Sequence, residues 1–171
     1  MRQITRSLVL LILLNISGCA VRYLPLRGQS LDKRLVQLDK EREKLRRTLD
    51  PVDRTKTEIK VSEILLTLVS DAVKNGDLER MEQRLDEYVA AIQDAHQSMV
   101  KTGRDAHRKP KGFKDLEIAL RRQVRQLDDI GAGLTFDQRE PVVKAREQAS
   151  SIRDDLLKAL FGEQNAPNRK G

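Results

Sequence analysis

Apolar residues recur at helical spacing along most of the chain, and the pattern predicts five helices. The first, residues 31–49, places Leu31, Leu35, Leu38, Leu45 and Leu49 on one stripe, with Arg42 at the position a heptad seam would fill with an apolar residue. Ser30 is its expected N-cap. Asp50-Pro51 then breaks and restarts the chain, since a residue before Pro is pushed out of the helical region and Pro suits a first turn. The second helix, 51–74, is apolar around much of its later half, through Ile59, Ile64, Leu65, Leu66, Leu68, Val69, Ala72 and Val73. It should be the most enclosed. Asn75-Gly76 ends it, with Gly76 suited to a left-handed position after the last turn.

The third helix, 78–102, has Asp77 as N-cap and the most regular stripe: Leu78, Met81, Leu85, Tyr88, Ile92, Ala95, Met99. The fourth, 113–130, turns Leu116, Leu120, Val124 and Leu127 inward. The fifth, 137–161, opens on Asp137-Gln-Arg-Glu140, which reads as a capping box, and lines up Val142, Ala145, Ala149, Ile152, Leu156 and Leu160. Four long helices joined mostly by short gaps imply an all-α, antiparallel up-down bundle, with the N-terminal helix either continuing the second with a kink or lying outside as a fifth. Asp77-Leu-Glu79 and Asp115-Leu-Glu117 match, but the apolar phases diverge beyond them, so this is shared helix-start chemistry and not a duplication. Glu163–Gly171 is polar and predicts a disordered tail.

Composition agrees with helices and removes several alternatives. Of 171 residues, 35% are charged and 3% aromatic, which disfavours a β-sandwich or barrel. A single Cys rules out a disulfide framework. That Cys lies in a distinctive place. Arg2 and Arg6 precede an almost wholly apolar run from Ser7 to Ile16, followed by Ser17-Gly18 and Cys19. A basic start, a short apolar stretch and small residues make a secretory leader, and the run is too short to span a bilayer, which needs about 20 apolar residues. Ile16-Ser17-Gly18-Cys19 resembles the lipobox of bacterial lipoproteins. The resemblance implies that residues 1–18 are removed and that Cys19 carries acyl chains holding the protein to a membrane. Ala20 in the next position is similar to an outer-membrane address, facing the periplasm. Residues 19–30, with Pro25 and Gly28, read as the lipidated Cys and a tether to the helical body, residues 31–162.

Removing the leader changes the net charge from +7 to +5, because Arg2 and Arg6 go with it. An equal surplus sits in the segment 101–114, where Lys101, Arg104, Arg108, Lys109, Lys111 and Lys114 face one acid, Asp105. This basic loop runs into the start of the fourth helix, where free N–H groups favour anions. It is the candidate anion-binding site, for phospholipid headgroups or an acidic cell-wall polymer. The bland alternative is a solvated loop whose first cations complement the end of the third helix. Nucleic acid is not expected, since Phe113 is this segment's one aromatic and gives no stacking platform.

His96 and His107 each follow Asp-Ala, and neither has a Glu three residues before it, so the Glu-x-x-His pattern of bundle metal sites is missing. No nucleophile elbow, P-loop or His-Glu-x-x-His motif occurs. No metal, cofactor or catalytic residue is therefore expected. The expected function is that of a lipid-anchored cell-envelope scaffold or interaction module, binding an envelope protein or a second copy of itself through the first helix.

Overall fold

The computed structural model describes residues 27–162, and it is an all-α bundle. The helices are α1 (Arg27–Arg47), α2 (Pro51–Lys74), α3 (Leu78–Val100), α4 (Phe113–Ala132) and α5 (Glu140–Phe161), with a 3-10 turn at Phe136–Gln138 before α5. The leader, Cys19, most of the tether and residues 163–171 lie outside the described residues.

The helix borders follow local chemistry. Asp50 caps α2, accepting the Asp53 N–H at 2.9 Å, and Asp77 caps α3 through the Arg80 N–H at 3.0 Å. Gly76 has φ +70°, the left-handed conformation expected of it. Two expected starts move. Helix α1 begins at Arg27, so Ser30 lies inside it and is not its cap. Asp137 falls in the 3-10 turn, and α5 starts at Glu140 with Pro141 in its first turn. Here the Thr135 N–H meets Gln138 Oε1 at 3.4 Å and Arg139 Nε donates to the Leu134 carbonyl at 2.9 Å, which holds a tighter turn before the helix.

Consecutive long helices run in opposite directions, and α2–α3 and α4–α5 form two hairpins. Across α2–α3, Glu58 meets Ser98 and Thr55 meets the Ala95 carbonyl. Across α4–α5, Glu117 meets Arg153 and Asp128 meets Arg146. The hairpins pack side by side with α2 against α4 and α3 against α5, while α3 and α4 stand diagonally. The α2–α4 pair between hairpins runs in the same direction, since Val52 lies beside Gly112 at the start of each helix and Ser62 bonds Gln123 further along both. The long connection 101–112 thus crosses the end of the bundle rather than joining neighbours. It ends on Gly112 (φ +89°), where a Cβ would lie 2.6 Å from Met99 Sδ.

The stripes read from the sequence are the core. Met81, Leu85, Tyr88, Ile92, Ala95 and Met99 of α3 are buried, as is the whole inner stripe of α5. Helix α2 is enclosed most, and beyond its apolar half it also buries Thr55, Thr57, Glu58 and Ser62. It is covered by α3, by α4 and, on a further side, by α1. Helix α1 is a separate outer helix. Leu38 is buried, Leu31 and Leu35 pack on the core, and Arg34 and Arg42 pair with Asp71 of α2 and Glu87 of α3. Its stripe ends early: the helix stops at Arg47, and Leu49 beyond it is 92% exposed.

Candidate functional site: a basic pole

The bundle has two ends of different composition. One holds the α2–α3 turn, the α4–α5 turn and the start of α1. There Leu31 and Leu35 share a cleft with Leu68, Asp71, Asn75 and Asp77. Residues 31–35, 71–82 and 128–140 together carry five cations and nine acids. The other end gathers the close of α1, the start of α2, the crossing connection and the end of α5. Residues 43–56 and 101–115 carry eleven cations and five acids. The helices between the ends are 20–24 residues long, which separates the two poles by about 30–36 Å.

The crossing connection is built to hold its shape. Ala106 is buried beneath it. Asp105 Oδ1 accepts the His107 N–H at 2.9 Å and the Arg108 N–H at 3.3 Å, and the Lys109 N–H reaches the Asp105 carbonyl at 2.9 Å. The imidazole Nδ1 of His107 lies 3.2 Å from the Leu160 carbonyl, which ties the loop to the end of α5. The segment's one acid therefore organises the turn, with Arg108 Nε 3.4 Å from its other oxygen. Lys101, Arg104, Lys109, Lys111 and Lys114 are exposed and have no ion pair among the described residues. Gly112, before α4, offers no side chain to cap the helix start.

Sequence spacing singles out these six cations but not their neighbours. Packing brings the end of α1 beside them: Lys44 and Lys111 both help hold the Asp53 carboxyl below its ordinary range, after the larger effect of Lys56 at 2.9 Å. Leu49 lines a shallow groove together with Lys101, Arg54 and Asp94. Val100 and Phe161, at the ends of α3 and α5, are 55% and 59% exposed. No local motif marks this set, because its members come from α1, α2, α3, the connection and α5 and meet only through the folding of two hairpins.

A second polar feature lies inside the bundle. The Tyr88 hydroxyl donates to Gln123 Oε1 at 3.2 Å, and Gln123 Nε2 donates to Ser62 Oγ at 2.8 Å, linking α3, α4 and α2. Burial drives the Tyr88 phenol well above its usual range, so it is a neutral donor here. Closer to the basic pole, Glu58 is 1% exposed. Its Oε1 receives Arg54 Nε at 3.0 Å and the Ser98 hydroxyl at 3.4 Å, and its Oε2 has no partner among the described residues. Burial lifts its pKa to about 7 against the opposing pull of Arg54. His96 is pushed down by burial, with Asp155 opposing. Among the described residues, no three His, Cys, Asp or Glu side chains gather as a metal site would require. No described helix is long and apolar enough to cross a membrane.

No protein-family model, no curated protein and no solved structure matches this chain.

Proposed function

We propose that the chain is a lipid-anchored cell-envelope protein, held to a membrane by acyl chains on Cys19, and that its helical body is a non-catalytic scaffold or interaction module. The Ile16-Ser17-Gly18-Cys19 segment and its leader support the anchor, and Ala20 favours an outer-membrane location facing the periplasm. The observation that carries the interaction role is the separation of charge. Leu31, where the helical body begins, lies at the acidic end of that body, and the basic pole is at its other end. Mass spectrometry of the chain purified from membranes tests the anchor. The expected product begins at an acylated Cys19; an intact leader or an unmodified thiol overturns the reading.

The partner of the scaffold is an envelope protein or a second copy. Helix α1 is the surface assigned to self-association, and its outer face presents Val36, 68% exposed, among charged residues. Analytical ultracentrifugation of the detergent-purified chain checks this; a monomer at every concentration removes self-association. A second reading is favoured by the five cations without ion pairs: an anion-binding envelope module that uses Lys101, Arg104, Arg108, Lys109, Lys111 and Lys114 on phospholipid headgroups or an acidic cell-wall polymer.

A further inference from the structure

We infer that the whole basic pole, and not the 101–114 loop alone, is a docking surface for an anionic lipid bilayer. The inference deepens the anion-binding reading and rests on it. Three observations meet at this end. The first is charge: residues 43–56 and 101–115 hold a surplus of six cations over acids, drawn from α1, α2, the crossing connection and the start of α4. The second is exposed apolar surface inside that field. Leu49, 92% exposed, shares a groove with Lys101, and Phe161, 59% exposed, follows the Leu160 carbonyl that His107 contacts. The third is rigidity, since Asp105 and Ala106 fix the loop.

An acidic polymer offers anionic groups but no apolar layer beneath them. A bilayer offers anionic headgroups and, just below them, an apolar layer, and a surface that pairs cations with protruding Leu and Phe fits both. The opposite end also exposes Phe136, at 88%, but its neighbourhood is acidic and an anionic membrane repels it. The geometry therefore gives the helical body one end suited to an anionic bilayer, opposite the end that holds Leu31.

The test uses the full chain loaded on phosphatidylcholine vesicles and offered a second, labelled population containing phosphatidylglycerol. Retention on the neutral vesicles reports the anchor, and capture of the charged ones reports the pole. The expected result is capture at low ionic strength that fades as salt is raised. It falls about tenfold or more in the Arg108→Glu, Lys109→Glu, Lys111→Glu variant, whose substitutions are all exposed. It also falls in Leu49→Ser, Phe161→Ser, where no charge changes. Circular dichroism checks that both variants keep their helix content. If the chain leaves the neutral vesicles, the anchor fails by itself, and sedimentation of the free chain with the charged vesicles reads the pole instead. Absence of binding to charged vesicles, binding indifferent to the triple reversal, or binding unchanged by loss of Leu49 and Phe161 overturns the proposal. The last outcome, with equal binding to soluble polyglutamate, assigns the surface to an acidic polymer.

Discussion

Glu58 stands in the α2–α3 interface with one oxygen on Arg54 and Ser98 and the other without a partner among the described residues. Its pKa of about 7 in the folded chain lies above the ordinary carboxyl value of 4.5. Below the ordinary value the group is neutral in both states and costs nothing. As pH rises from there toward 7, the unfolded chain ionises while the folded one resists, and stability falls by an amount on the order of 3 kcal/mol. Glu58→Gln should remove that slope. Thermal melts of the two chains should differ little near pH 4.5 and diverge in favour of the variant by pH 8; parallel curves would contradict the burial argument. Gly112 is the other residue with a sharp consequence. Its φ is +89°, and a Cβ there would stand 2.6 Å from the sulfur of Met99, which is fully buried, so no side chain fits. Gly112→Ala should cost about 1–3 kcal/mol in denaturant unfolding, because both the backbone and the Met99 packing must shift.

Helix α1 attaches by a narrow strip, with Leu38 buried and Leu31 and Leu35 partly so. Leu38→Ala should remove about 2–3 kcal/mol of that attachment. Hydrogen exchange should then quicken across Arg27–Arg47 while α2 to α5 hold their protection; a uniform rise would mean that α1 unfolds with the bundle. The elements themselves are legible from spacing and caps, since Asp50, Gly76 and Asp77 do what local chemistry asks of them. The stripe of α5 is legible residue for residue. What spacing does not reveal is the enclosure of Thr55, Thr57, Glu58 and Ser62, polar residues that a helical pattern assigns to water. They are covered because α2 sits between two other helices: Thr55 and Glu58 meet the Ala95 carbonyl and Ser98 of α3, and Ser62 meets Gln123 of α4. The start of α1 is hidden too, because Gly28 and the lack of an apolar period give no helical signal there.

At the level of the molecule, the sequence reveals one basic loop, whereas the fold assembles a pole. The difference arises from the crossing connection, which places the end of α1 and the starts of α2 and α4 at one end. Opposite charge at the two ends, a surplus of six cations at one and of four acids at the other, predicts weak attraction between copies. Light scattering of the full chain in detergent should report growing particle size as protein concentration rises at low ionic strength, and its disappearance at about 0.5 M salt, where screening acts over a few ångströms. Size independent of salt would mean that the poles do not meet. A body charged in this way also behaves as a compass needle. Near any strongly negative layer it experiences a torque as well as a pull, so its orientation is selected before contact, and an approach from the wrong side is turned around rather than captured.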